Sequence, residues 1–282
     1  MVTGATGNVG SELVRQLLAA GHNVRAFVKN EDAAKRLPTG QITPVVGDYA
    51  QVATLAAAMQ GADAVYALTP VAEQAKTWMF NIIDAAKQTK VGHVVKHSAY
   101  GMRPGDAQSI ALEHSLGDEY LIQSGLSYTI LQPNSYMQNM LWQAEAIKQS
   151  GTVYMPLGDA KQSVVDLADI AAVAVKTLTE PGHNKQTYVL TGPQSLSVDE
   201  QLAIISGLIH KPLTYVAVPP EAAEQAMKES GMPAWNAHAM AVFMKAIGTG
   251  AFAATTGDVK KILGREPVSY SAFVQRYLAA FR

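Results

Sequence analysis

The tract Val2-Thr3-Gly4-Ala5-Thr6-Gly7-Asn8-Val9-Gly10, running straight into Ser11-Glu12-Leu13-Val14-Arg15-Gln16-Leu17-Leu18, constrains the fold more than any other. Glycines at 4, 7 and 10 stand between a short apolar stretch and an amphipathic helix. The apolar residues Val9, Leu13, Val14, Leu17 and Leu18 of that helix share one face. A glycine at the strand end permits a tight turn, and the next lets backbone N–H groups approach a ligand with no Cβ in the way. The third lets the helix pack closely, its positive N-terminal end turned to an anion. The pattern is that of a cradle for a nucleotide diphosphate, with Gly4, Thr6, Gly7, Asn8, Val9 and Gly10 as the binding residues. A Gly-rich strand–helix turn with an empty crevice has the same spacing, but strand before and helix after favour the cradle. Only Met1 and Val2 precede Thr3, whereas strands usually run to about five or six residues. Either the first strand is unusually short, or the numbered chain lacks residues ahead of Met1.

Apolar runs and helical patterns alternate from here. Strands are predicted at Asn23 to Lys29, Ile42 to Val46, Ala64 to Leu68, His93 to Ser98 and Ser127 to Gln132. Helices are predicted between them, as at Thr77 to Gln88 with Met79, Ile82, Ile83 and Ala86 on one face. This alternation specifies an α/β fold, a doubly wound parallel sheet of Rossmann type. After Pro133 the rhythm changes. Ser135 to Gln149 reads as one helix, Asp166 leads into an Ala/Val-rich helix ending near Leu178, and Thr187 to Thr191 as a strand. Val198 to Leu208, Glu221 to Glu229 and Ala234 to Ala246 read as helices, with a short strand at Thr214 to Val218. The expected organisation is a dinucleotide-binding domain over 1–134, joined by about 163–192. A smaller α+β substrate region covers 135–162 and 193–282.

Totals exclude several classes. A net charge of −1 argues against a nucleic-acid binder, and the absence of cysteine excludes disulfides, thiolate metal sites and a catalytic thiol. The seven histidines show no metal-ligand spacing, so no metal is expected. No apolar run reaches the roughly twenty residues of a membrane span and the start does not read as a signal peptide, which makes cytoplasmic the expected location. Monomer and homodimer stay open.

The end of the second strand, Phe27-Val28-Lys29-Asn30, bears on which dinucleotide fits. A carboxylate there accepts from ribose hydroxyls and repels a 2′-phosphate, whereas a cation invites one. Lys29 therefore favours NADPH over NADH. Glu31 and Asp32 are the counter-argument, unless they form the first turn of a helix capped by Asn30. Asp48 is placed either to reach the adenine amino group or to serve a turn. Leu68 and Thr69, at the next strand end, are expected against the cofactor, with Pro133 at the end of a later strand.

These pieces together resemble the NmrA-like, atypical short-chain dehydrogenase/reductase family, nearest to its bacterial triphenylmethane-dye, azo-dye and quinone reductases. The matching residues are Thr3 to Gly10, Val28-Lys29-Asn30, Gly47-Asp48-Tyr49, Ser124 to Asn134, Tyr136-Met137-Gln138-Asn139, Asp166 to Ala171 and Gly264-Arg265-Glu266-Pro267. The resemblance spans nearly the whole chain. It implies a Rossmann sheet, a small C-terminal substrate region and an NADP or NAD cofactor; its members include both reductases and non-catalytic redox sensors. Two departures stand out. Gln132 lies where the family often has arginine. None of the 11 tyrosines has a lysine four residues later, the pair with which related enzymes protonate ordinary ketones and sugar-nucleotide intermediates.

The missing pair limits the chemistry. A simple ketone is reduced to an alkoxide, whose conjugate acid is about as weak as water at 15.7 and needs a positioned acid. A quinone leaves a phenolate with a conjugate acid near about 10. A triarylmethane cation needs only hydride. The expected activity is NADPH-dependent reduction of conjugated, electron-poor acceptors, small planar aromatic or quinonoid molecules, with no flavin. A cofactor-binding sensor without chemistry is the alternative. Candidate catalytic residues are Tyr136, just past the Leu131-Gln132-Pro133 strand, and Ser98 and His97 at another strand end. Tyr100, Met137, Met140, Trp142 and Trp235 are candidate substrate-lining residues, with Met232, Met240 and Phe243 as further walls. His114 is expected on a helix surface.

Overall fold

In the computed structural model the described residues are 1–101 and 110–282, excepting the Ala111 side chain. The chain divides into two compact units. One is Met1–Asp106, Leu112–Gln132 and Leu167–Val189; the other is Ala107–Ala111, Pro133–Asp166 and Leu190–Arg282.

The first unit alternates strands and helices. Helix α1 (Asn8–Ala19) is followed by β1 (Val24–Val28), α2 (Glu31–Ala34), β2 (Ile42–Val46), α3 (Val52–Met59) and β3 (Ala64–Ala67). Next come α4 (Ala75–Thr89), β4 (His93–His97), α5 (Ile110–Gln123) and β5 (Tyr128–Pro133). Strands β1 and β2 run parallel with Val24 opposite Ile42, as do β3 and β4 with Ala64 opposite His93. Strand β5 extends the parallel sheet, Val94 lying opposite Tyr128.

The expected first strand survives as a bridge. Val2 pairs in parallel with both Ala26 and Tyr66 and so joins β1 to β3. Its N–H donates to the Arg25 carbonyl at 2.8 Å, and Thr3 N–H donates to the Tyr66 carbonyl at 3.0 Å. The strand order therefore reverses at Met1–Thr3: β1 lies on one side and β3, reached much later in the chain, on the other. Ligands of doubly wound sheets bind outside the strand carboxyl ends at such a reversal. Below it the core is continuous, with Leu55, Met59, Val65, Ile82, Ile83 and Leu121 all without solvent exposure. Burying side chains of this size contributes roughly 1.5–3 kcal/mol apiece, which fixes the strand ends that carry the site.

Past β5 the second unit begins with a 3₁₀-helix (Met137–Gln143), α6 (Ala144–Gln149) and β6 (Thr152–Met155). Helix α7 (Leu167–Thr179) and β7 (Gln186–Leu190, beside β5) return to the first unit's sheet. Then follow α8 (Val198–Ile209), β8 (Thr214–Ala217), α9 (Pro220–Glu229), α10 (Ala234–Gly248), α11 (Asp258–Leu263), α12 (Tyr270–Arg276) and α13 (Leu278–Phe281). Strand β6 was not expected; it pairs in parallel with β8, Tyr154 opposite Val216.

The single helix expected over Ser135 to Gln149 is corrected to a 3₁₀ segment followed by a short α-helix. Its start is tethered: Met137 N–H donates to the Val165 carbonyl at 3.0 Å and Val165 N–H to the Ser135 carbonyl at 2.9 Å. Bonds of this ladder type hold the chain extended at Tyr136 and leave no room for an α-turn there. Asp166, in one of the recognisable motifs, anchors the same region. Its buried carboxylate accepts from Arg276 Nη1 at 3.1 Å and from Gln138 Nε2 at 3.1 Å.

Candidate active site

At the strand reversal, Thr3 is fully buried and ties two loops together. Its hydroxyl donates to the Leu68 carbonyl and accepts from the Leu68 N–H, each at 2.8 Å. Gly4 then adopts φ +64°, where an L side chain is strained and where its Cβ would press on Leu68. A Cβ on Gly10 would stand 2.1 Å from the Gly4 carbonyl oxygen, an overlap with backbone that no rotamer relieves. Only glycine lets α1 start this close to the loop. Gly7 caps α1 with no side-chain hydrogen bond, and the first turn carries no acid. No side chain competes for the first N–H groups, and the helix dipole's positive end is left to an anion. A diphosphate fits this cradle.

Tyr49 braces the loop. Its hydroxyl accepts from Gly4 N–H at 2.9 Å, and its ring packs against Phe27 and Trp78 with centroids 5.2 and 5.7 Å away. Lys29 is exposed just past β1. The Asn30 side chain accepts from Ala33 N–H at 2.8 Å, so Glu31 and Asp32 form the first turn of α2. The Asp48 carboxylate closes a turn by accepting from Ala50 N–H at 2.9 Å. Thr69 and Tyr100 are half-buried at the ends of their strands, and Pro133 is buried as the last residue of β5.

The end of β4 holds a buried polar cluster. Lys96, 1% exposed, places Nζ 2.6 Å from Asp118 Oδ1 and donates to the His114 carbonyl at 3.2 Å. Ser98 Oγ donates to Asp118 Oδ2 at 2.7 Å, and Gln132 Nε2 to the same oxygen at 3.3 Å. The Ser98 hydroxyl, without solvent exposure, is thus committed to Asp118. Burial drives the pKa of Lys96 down, opposed by the Asp118 charge. On the other face of β4, the Tyr66 hydroxyl lies 2.6 Å from His97 Nδ1. Burial, then the neighbouring His114 and Lys96, push His97 down to about 3. Such an imidazole is neutral at pH 7 and serves as a hydrogen-bonding group rather than as an acid. His114 is pushed down to about 3 as well, first by burial and then by the Lys96 charge. His114, expected on a helix surface, is half-buried on α5 and close enough to Lys96 for that charge to act on its ring.

The second unit contains an apolar pocket of about 310 Å³. Tyr136, Met140, Trp142, Tyr154, Met227, Met240 and Phe243 are among its walls, with Asn139, Gln143, Gln162 and Gln201 as polar members. Among the described residues, no lining side chain carries an ionic charge at pH 7. Burial raises the Tyr136 phenol well above its usual pKa, so it stays protonated and able to donate.

The sequence profile described as NAD(P)H-binding matches residues 4–181. The chain belongs to this NAD(P)H-binding family. An NAD(P)H azoreductase of Xenophilus azovorans is 37% identical over 281 residues, covering 100% of this chain and 98% of the relative. The NADPH complex of the NADPH-dependent quinone oxidoreductase QOR2 from Escherichia coli superimposes with a TM-score of 0.88 at 26% identity, covering 98% of this chain and 99% of that one. The Citrobacter sp. triphenylmethane reductase complexed with NADP(H) shares the fold, with a TM-score of 0.87 at 24% identity over 98% of each chain. This NAD(P)H-binding protein stands among the NAD(P)H-dependent oxidoreductases. Among its described residues, no cluster of three or more His, Asp or Glu side chains could hold a metal, and no helix is long and apolar enough to cross a membrane.

Within the first unit, the structure brings Gly4 to Gly10, Leu68 and Thr3 together at the strand reversal, and His97 and Ser98 to opposite faces of one strand end. In the second unit Tyr136, Met140, Trp142, Met240 and Phe243 line the pocket, but Met137, Trp235 and Met232 do not. The lining role expected of Met137 is corrected. It is 2% exposed, and its methyl group comes within 3.3 Å of where a Cβ on Gly192 would stand. Trp235 is half-buried near the start of α10. Thr3, Tyr49, Lys96, Asp118 and Tyr154 went unnoticed in the sequence. Thr3 and Tyr49 sit inside the Thr3 to Gly10 and Gly47-Asp48-Tyr49 motifs and were the two with a signal.

Proposed function

We propose that the protein is an NADPH-dependent reductase of conjugated, electron-poor acceptors such as quinones, azo dyes or triarylmethane dyes. The second unit's pocket carries the reading: its described residues offer apolar and aromatic walls to a planar molecule and no ionic side chain to one that needs a strong acid. Azo and quinone reduction are the activities named for relatives of this chain. When bound, the dinucleotide supplies a hydride, two electrons with one proton, to the acceptor. Gly4, Thr6, Gly7, Asn8, Val9 and Gly10 hold its diphosphate, with Leu68, Thr69 and Pro133 beside it. Lys29 pairs with the 2′-phosphate and gives the preference for NADPH, while Asp48 keeps its free oxygen for the adenosine end.

Tyr136 is the proposed proton-holding group near the acceptor, with Met140 and Trp142 as walls. Ser98 and His97 act from beneath, by ordering the strand end on which Tyr100 sits. A quinone that receives hydride becomes a phenolate, and water completes the hydroquinone because that conjugate acid has a pKa of about 10. No Tyr–Lys pair is required. The test is NADPH oxidation followed with menadione, an azo dye and a triphenylmethane dye. Turnover on at least one supports the reading. Tight NADPH binding with no turnover on any of them assigns the protein to the redox sensors instead.

A further inference from the structure

The pocket's lack of charge has a consequence for which acceptors enter. Among the described residues 22 line it, and neither an acid, a base nor a histidine is among them. Five of the walls are methionines, at 140, 155, 227, 240 and 244, and four are aromatic, Tyr136, Trp142, Tyr154 and Phe243. The polar members are amides and hydroxyls, which orient a carbonyl without neutralising an anion. A sulfonate or carboxylate carried inside loses water and gains no counter-ion, and an unpaired buried charge is the costliest group a pocket can accept.

The rim adds a second observation. Trp142 is 66% and Tyr154 59% exposed, among the most exposed large hydrophobic side chains of the described residues, and both border this pocket. Tyr154 projects from β6 at its pairing with Val216, itself exposed. Flat, exposed rings at a pocket mouth suit stacking by a second aromatic ring of a ligand.

We infer that this pocket selects acceptors by charge and size: it takes molecules of two or more fused or linked rings that are neutral or carry only a delocalised cation, and rejects those bearing an anionic substituent on the enclosed ring, with Trp142 and Tyr154 as specificity-determining residues. The inference rests on the reductase reading above but is read out separately. Menadione and 1,4-naphthoquinone-2-sulfonate share the two-ring core and differ in the charge. Binding of each to the protein is measured by calorimetry in the presence of NADP⁺, and KM is measured for each in turnover with NADPH.

The sulfonate is expected to bind at least about tenfold more weakly and to show a correspondingly higher KM, the scale of an uncompensated charge in an apolar site. Gln143→Arg places a cation on the half-buried polar side of the pocket and is expected to narrow that ratio. Trp142→Ala is expected to raise KM for menadione several-fold more than that for 1,4-benzoquinone, a single ring. Equal affinities for the two naphthoquinones overturn the charge selection, whatever the turnover. A Trp142→Ala protein with unaltered KM but a changed sedimentation coefficient assigns the rim to an interface between copies, and overturns the specificity role of Trp142. Selective binding without turnover supports the selection and instead defeats the reductase reading.

Discussion

The strand end of β4 in the first unit and the pocket of the second treat polarity in opposite ways. Beneath β4 a lysine and an aspartate are buried as an ion pair, and both Asp118 oxygens are satisfied by Lys96, Ser98 and Gln132. Among its described residues the pocket has no ionic side chain, only neutral amide, hydroxyl and indole groups between apolar walls. The first arrangement fixes geometry, because a buried ion pair tolerates only the conformation that keeps its partners matched. The second leaves geometry to the shape of whatever enters. A dinucleotide-binding sheet needs the former to hold its strand ends in register; a site for flat, delocalised acceptors works with the latter. On the proposed function, the chain places its fixed polarity where a rigid scaffold is required and omits it where an acceptor would stabilise its own developing charge.

The most severe way to break the first region is Gly10→Val. With a Cβ 2.1 Å from the Gly4 carbonyl oxygen, α1 has to move off the loop. Dinucleotide affinity, followed by calorimetry, is expected to fall by more than about 100-fold, or about 2.7 kcal/mol. Gln143→Leu, in the pocket, is expected to leave dinucleotide affinity within about twofold, because it touches no phosphate donor.

Next in size is Asp118→Leu, which strands the Lys96 ammonium beneath the sheet. Denaturant unfolding is expected to show a loss of about 3–5 kcal/mol, much of it regained in the double variant Lys96→Met with Asp118→Leu. If the single change costs under about 1 kcal/mol, the ion pair does not order the strand end.

How much of this contrast can be read in the sequence differs by region. The cradle is legible because its glycines are consecutive local signals, each demanded by a turn or a close approach within ten residues. The Rossmann alternation is legible for the same reason, helices and strands being periodic over short windows. The Lys96–Asp118 pair is not: its partners are 22 residues apart, and nothing in Val94-Val95-Lys96-His97 announces that a lysine in an apolar strand has a carboxylate waiting on α5. The Tyr49–Gly4 bond spans 45 residues. Strand β6 escaped because Thr152 to Met155 is four residues long and half-exposed, too short for a period to declare itself. Met137 misled because a methionine beside Tyr136 and Met140 reads as part of a lining stripe, and only the 3₁₀ geometry turns it inward.

Acid sharpens the contrast further. His97 and His114 have folded pKa values of about 3 against an ordinary value of 6.5. Between those limits the unfolded chain binds more protons than the folded one, so stability is full above about pH 6.5 and falls as pH drops toward about 3. The slope of unfolding free energy against pH is expected to lessen by up to about one proton in His97→Asn. An unchanged slope would mean that His97 is not buried as a neutral ring.

The smallest effect concerns the dinucleotide's far end. Lys29→Ala is expected to raise the NADPH dissociation constant about tenfold and to leave NADH within about twofold, the scale of one charge-assisted hydrogen bond at an exposed site. Equal losses for both nucleotides would move the 2′-phosphate to another partner.

The central claim is that a site without a Tyr–Lys acid pair passes hydride to acceptors that need none. Its most direct measurement is kcat/KM with NADPH for menadione against cyclohexanone at one pH. Turnover with the quinone and a rate for the ketone near background is the predicted result; a preference for the ketone would contradict it.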